Sequence, residues 1–117
     1  MSSSASPINR LRFRTTQQGS EFVIRCTGRL VSEFTEDLRQ EFMRVLPEAS
    51  RIVLDLSDIR HMDSSGLGTL VRLYVSAKSD KCELRLINLN QRVRELLGIS
   101  NLLSLFTACG EYMTKLP

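Results

Sequence analysis

The chain has 117 residues, which is enough for one hydrophobic core and too few for two domains of ordinary size. Its 42% hydrophobic and 25% charged residues are typical of a globular protein. The net charge of +3 arises without a long run of like charges, which argues against direct nucleic-acid binding, and no apolar stretch approaches the length of a membrane span.

Residues 1–7, with four serines and no apolar segment, lack the core of a secretory signal. We therefore expect a disordered tail over 1–7, a single domain over 8–117, and a protein that stays in the cytoplasm. The basic cluster that follows is formed by Arg10, Arg12 and Arg14. Their spacing places them on one face of a strand, and they are interpreted as a solvated edge.

The first half of the chain predicts an antiparallel hairpin followed by a helix. Residues 8–15 and 22–27 alternate apolar and polar side chains in the period of half-buried strands, and the polar segment 17–20 turns between them. A helical apolar pattern then runs from Ser32, a candidate N-cap, to Pro47, which stops it.

The second half predicts strands that alternate with helices. The apolar run 52–56 predicts a central strand buried on both faces, and a helical pattern that includes Leu67, Leu70, Val71, Tyr74 and Val75 starts at two serines. Residues 84–89 predict a further strand, residues 90–98 a helix capped by Asn90 and ended by Gly98, and residues 102–106 a short last strand. The pattern predicts an α/β domain whose mixed sheet has four to five strands: an initial hairpin, then parallel strands with helices packed against them.

Three cysteines, Cys26, Cys82 and Cys109, are widely spaced and have no neighbouring histidine. An odd number without a C-x-x-C pair indicates neither a disulfide framework nor a zinc site. We expect buried reduced thiols, no metal and no cofactor.

The segment Asp63–Gly68, with the sequence Asp-Ser-Ser-Gly-Leu-Gly, stands where the central strand turns into a helix. Serine accepts hydrogen bonds from the free N–H groups of a helix start, so Ser64 and Ser65 are expected caps. Gly66 and Gly68 each cost up to about 1 kcal/mol in a helix, so a close approach by another backbone or another molecule must favour them. Ligands of open α/β sheets bind at this end of the strands.

A hydrolase that uses Ser64 or Ser65 as its nucleophile is a weak hypothesis. The single histidine, His61, lies three residues before Ser64 and is expected to be a solvent-facing loop residue. It has no evident orienting partner beyond Asp63 or Asp58, and the G-x-S-x-G elbow is absent. We therefore predict no catalytic residues and no enzymatic activity.

The run Ile52–Ser57 followed by Met62–Gly68 resembles the signature of the STAS domain family, and specifically that of bacterial anti-sigma factor antagonists. The resemblance extends to Gly28–Leu30, Leu86–Leu89 and the apolar positions of 93–97. It implies that Ser64 is phosphorylated by an anti-sigma factor that is also a serine kinase. It further implies that the unphosphorylated form binds this partner and releases a sigma factor, and that a serine phosphatase restores that form.

The residues expected to contact the partner are Asp63, Ser64, Ser65, Gly66, Leu67, Gly68 and Arg29. Arg29 marks a departure, because many antagonists have Gly-Glu-Leu-Asp where this chain has Gly28-Arg29-Leu30-Val31. The stretch 110–117 also looks short for the family's last helix. The alternative function is a STAS scaffold subunit of a transport or signalling complex, in which the serine is only a helix cap.

Overall fold

The computed structural model describes residues 10–99, which form four strands and three helices. In chain order the elements are β1 (Arg12–Gln18), β2 (Glu21–Leu30), α1 (Thr35–Val45), a 3₁₀ turn (Leu46–Glu48), β3 (Arg51–Met62), α2 (Ser64–Ser79), β4 (Glu83–Ile87) and α3 (Gln91–Ile99).

The strands form one mixed sheet in the order β1-β2-β3-β4. β1 and β2 are an antiparallel hairpin, whereas β3 runs parallel to both β2 and β4. α1 and α2 make the two connections that parallel neighbours require. The predicted α/β architecture is confirmed. The predicted strand at 102–106 and the stretch 110–117 lie outside the described residues.

The core lies between α1, α2 and one face of the sheet. Leu38 and Phe42 of α1 belong to the same buried cluster as Leu70 of α2. On β3, Ile52, Leu54 and Leu56 are fully buried on the helix side. The opposite face carries the half-buried Arg51 and Asp55 with the buried Val53 between them, so it is mainly polar. The prediction that residues 52–56 are buried on both faces was therefore wrong at Asp55 and holds at Val53. We call the polar side the open face.

β3 continues to Met62, six residues beyond its predicted end. Residues 57–61 are polar except for the buried Ile59 and interrupt the apolar pattern, but positions 58, 59 and 61 still pair with β2 through two register shifts. At the second shift Gly28 has φ +117°, and a Cβ there would collide with the carbonyl oxygen of Arg10. Only glycine meets both conditions without strain. His61 is exposed as expected, but it lies on this strand and not in a loop.

The structure differs from the predictions at the start of α1, at the end of α3 and in which residues of α2 are buried. α1 starts at Thr35, and its N-cap Phe34 makes no side-chain capping bond, so Ser32 is not the cap. α3 extends through Gly98 to Ile99, while Asn90 caps it as predicted, because its Oδ1 accepts from the backbone N–H of Val93 at 2.9 Å. On α2, Leu73 and Ala77 are buried, whereas Val75 is 56% exposed.

The Cys26 thiol is fully buried, and desolvation raises its pKa to about 12, with the charges of Asp55 and Glu41 adding to the effect. Because the thiolate is the reactive form, we expect Cys26 to resist alkylation by iodoacetamide at pH 8 in the native protein and to react in guanidinium chloride. Peptide mapping by mass spectrometry measures both states. Rapid labelling of the native protein would show that the sheet opens far more readily than the burial of Cys26 indicates.

Candidate functional site

Ser64 and Ser65 are the first two residues of α2, and both are exposed. β3 ends at Met62, so Asp63 alone separates the strand from the helix. The two serines therefore lie at the carboxyl end of an interior strand and at the positive end of a helix dipole, as the sequence predicted. Among the described residues, neither hydroxyl has a hydrogen-bond partner, which leaves both available to a second molecule.

Asp63, and not a serine, is the N-cap of α2. Its backbone is extended, and its Oδ1 accepts from the backbone N–H of Gly66 at 3.0 Å. The expectation that Ser64 and Ser65 are caps was therefore wrong, because the cap is the residue just before them. Aspartate and serine cap helices about equally well, so the strand's exact end decides which of them does so.

Asp63 also connects the helix start to the segment that follows β2. Its Oδ2 accepts from the backbone N–H of Ser32 at 3.3 Å, and its own N–H donates to the carbonyl of Leu30 at 3.4 Å. One carboxylate thus holds two segments that are about thirty residues apart in sequence. The sequence does not point to the Ser32 contact, because the pattern around Ser32 is also typical of an N-cap for α1.

The two glycines of the segment have different surroundings. Gly66 is buried, and a Cβ there would collide with the Leu30 carbonyl oxygen and lie 2.9 Å from Leu30 Cγ and 3.0 Å from Met62 Cγ. The close approach predicted at Gly66 is therefore made by the chain's own backbone, which removes Gly66 from the surface that a partner can reach. Gly68 is exposed, with nothing within 4 Å of its Cβ position, and Leu67 beside it is half-buried.

Arg29 lies near the end of β2, in register with His61 on β3, and the next pair is Leu30 with Met62. The segment 28–31 is thus adjacent to the serine segment, as expected, and Arg29 is half-buried there. His61 makes no hydrogen bond to either serine within residues 10–99, so the two groups needed for a nucleophile and base pair are not joined.

Comparison with known proteins identifies the family. A family model described as "Mlab, STAS domain" matches residues 13–107. The chain belongs to the STAS domain family. A STAS-domain containing protein of Pseudomonas aeruginosa (strain UCBPP-PA14) is 35% identical over 88 residues, which cover 75% of this chain and 87% of that protein. The resemblance to the STAS domain family noted in the sequence is confirmed.

Solved structures share the STAS fold at low identity. The anti-sigma factor antagonist SpoIIAA of Bacillus, in its unphosphorylated form, superposes with a TM-score of 0.72 at 20% identity, covering 90% of this chain and 89% of that one. SpoIIAA is also known in a phosphorylated form. The murine anion transporter Slc26a9 gives a TM-score of 0.72 at 13% identity, covering 86% of this chain but 17% of the transporter. Within residues 10–99 of the present STAS domain, no helix is both long and apolar enough to cross a bilayer.

Proposed function

We propose that this STAS domain is an anti-sigma factor antagonist controlled by phosphorylation of Ser64. In its unphosphorylated form it binds an anti-sigma factor of the serine kinase type and thereby frees a sigma factor. Phosphorylation by that partner ends binding, and a serine phosphatase restores it. The observation that supports the proposal best is the Ser64 hydroxyl, which is exposed at the start of α2 and engaged by no other described residue.

The geometry can accommodate a phosphate at Ser64. A phosphoserine adds about −1.5 to −2 charges, and a helix start stabilises negative charge while the neighbouring Asp63 repels it. No packed side chain has to move, because Ser64 projects from the first turn. Phosphorylation therefore changes the charge of the surface without unfolding the domain.

A partner that packs against α2 at Gly68 and Leu67 would bury the Ser64 position. Burial of a charge with no partner costs several kcal/mol, and each 1.4 kcal/mol is about tenfold in affinity. One phosphate is therefore sufficient to prevent binding. Gly68 is the glycine that permits this approach, because its Cα is exposed and nothing lies within 4 Å of its Cβ position.

Ser64 is chosen over Ser65 on the family resemblance, since both side chains are exposed. Ser65 differs in one respect, because its carbonyl oxygen accepts from the Thr69 hydroxyl at 3.0 Å within α2. That bond uses the backbone and leaves the Ser65 hydroxyl free. Variants of the two serines are consequently matched controls for each other.

The test compares four baits, Ser64→Ala, Ser64→Asp, Ser65→Ala and Ser65→Asp, for the proteins that they retain from the cytosol of the native host, identified by mass spectrometry. We expect Ser64→Ala and both Ser65 variants to retain an ATP-binding protein of the histidine-kinase-like type. With that protein purified, Ser64→Asp should bind at least about tenfold more weakly than Ser64→Ala. Equal binding of the two Ser64 variants would contradict the switch.

A second candidate function is a STAS subunit of a transport complex, in which Ser64 is never modified. Two observations favour it: the match to the STAS portion of an anion transporter, and the positive Arg29 where many antagonists have an acid. Here both Ser64 baits should retain the same membrane ATPase or transporter. Incubation with the cytosol and ATP should leave no phosphate on any fraction of the protein.

A further inference from the structure

The open face of the sheet has a basic corner at the β1–β2 hairpin. On β1, the Thr15 hydroxyl donates to Glu41 of α1, so Thr15 faces the helices. Arg12 and Arg14 alternate with it, are exposed, and therefore lie on the open face. Arg14 is directly opposite Arg25 in the antiparallel register, and Arg12 is opposite Thr27.

These arginines line a concave surface. The cavity has a volume of about 590 Å³ and is bounded by Arg12, Phe13, Arg14, Arg25, Thr27 and Asp58. Phe13 alternates with Arg12 and Arg14, and its side chain packs against the core on the helix face, so the side chains that the open face presents here are polar. We call this set the hairpin pocket.

Positive charge in the hairpin pocket is left uncompensated. Arg25 pairs with Asp58, its Nη2 lying 2.8 Å from Oδ2. Arg12 and Arg14 form no ion pair or hydrogen bond with any residue of the part of the chain that the structure describes. Like charges directly opposite each other destabilise a strand pair, so Arg14 beside Arg25 lowers the stability of the free protein.

The other end of the open face shows the usual arrangement. Glu21, Arg51 and Glu83 lie side by side on three strands, and Arg51 pairs with both glutamates at 3.0 Å. Arg85 pairs with Glu83 at 2.7 Å along the same strand, β4. Charges alternate there, whereas at the hairpin pocket three arginines meet one carboxylate. Protection of an edge strand would account for Arg12 and Arg14 on β1, but not for a third arginine, Arg25, directly opposite Arg14 on the interior strand β2.

We propose that the hairpin pocket is a docking site for an acidic segment of a partner protein. Each free guanidinium can hold a carboxylate through two parallel hydrogen bonds, which matches glutamate and aspartate side chains. A small ligand is disfavoured, because such sites are mostly apolar and enclosed, whereas the three arginines are exposed. Nucleic acid is disfavoured too, because a longer basic stripe is needed to contact successive phosphates, and further along the face Arg51 is paired with Glu21 and Glu83.

The site is independent of the Ser64 proposal, since it is on the open face, whereas α2 packs on the other face. A partner could therefore contact both surfaces or only one. Ser64→Asp, whose effect belongs to the proposed function, is expected to leave docking at the hairpin pocket unchanged. That variant makes failure of one proposal distinguishable from failure of the other.

The test uses the full chain and a fluorescein-labelled ten-residue peptide of alternating glutamate and serine, with binding followed by fluorescence anisotropy at low salt. We expect Arg12→Gln/Arg14→Gln to weaken binding at least tenfold. The matched control is Arg72→Gln/Arg92→Gln, which removes the same charge from exposed positions on α2 and α3 and should bind as the unmodified chain does.

Thermal unfolding provides a readout that a purely structural role would not give. Loss of Arg14 relieves its repulsion of Arg25, so the double variant should melt no lower than the unmodified chain while its binding is lost. If both double variants weakened peptide binding equally, net charge alone would account for binding and the proposal would be overturned. Tighter binding of a 20-base-pair DNA duplex or of phosphatidylglycerol vesicles than of the peptide, removed by the Arg12 and Arg14 substitutions, would also overturn it.

Discussion

Gly66→Ala is expected to destabilise the domain by about 3 kcal/mol or more, because overpacking a tight contact forces backbone to move. The added methyl would collide with the Leu30 carbonyl oxygen and crowd the side chains of Leu30 and Met62. α2 would have to lift from the end of β2, and the bond between the Asp63 N–H and the Leu30 carbonyl would be strained. Urea denaturation measures the change.

Gly68→Ala is the matched control, since the same methyl is added two residues later on the same helix. Nothing lies within 4 Å of the new atom, so the gain in helix propensity should stabilise the protein by up to about 1 kcal/mol. If Gly68 also admits the partner, binding should weaken although stability rises. Similar losses of stability in the two variants would contradict the packing described for Gly66.

The sequence predicted the fold well because its periodic patterns are strong. The alternation in the hairpin and the apolar run of β3 were sufficient for the mixed sheet. The sequence did not predict the full length of β3. Residues 57–61 look like a loop because most of them are polar, and only the structure shows that one face of this strand is exposed to solvent. Pairing with β2 through register shifts is a long-range effect that no local pattern reports.

The start of α2 and its cap were predicted to within one or two residues, and the internal contacts of the segment were not. Asp63, Ser64 and Ser65 are all good N-caps, so only the end of β3 determines that Asp63 is the one used. Gly66 did indicate a close approach, whereas Gly68 has open space at its Cβ position. Which segment makes it depends on the register that places Leu30 beside Met62, which local sequence does not encode.

The serine segment and the hairpin pocket illustrate two uses of charge in one small domain. At α2 a neutral hydroxyl stands where a negative charge could be added without loss of packing. At the hairpin, positive charges already repel each other, and an acidic partner would relieve that repulsion. The first surface is suited to switching and the second to selecting a partner.

Asp63→Ala should destabilise the domain by about 1–2 kcal/mol, because it removes the N-cap of α2 together with the contact to the loop after β2. Asp63→Asn separates the two roles. Its side-chain oxygen can still accept from the Gly66 N–H, but its amide group cannot accept from the Ser32 N–H. Denaturant unfolding should therefore place Asp63→Asn between the unmodified chain and Asp63→Ala.

Substitution of Asp63 also tests how the helix start tolerates a negative charge at position 64. A negative charge at the helix start is favourable by about 0.3–1 kcal/mol, but in the natural sequence Asp63 offsets part of this gain by repulsion. Ser64→Asp should therefore be more stabilising in combination with Asp63→Asn than alone. The coupling free energy of that double-mutant cycle should be about 0.5 kcal/mol or more and should fall in high salt. Additive effects at low salt would mean that Asp63 does not contribute to the electrostatics of a phosphorylated Ser64.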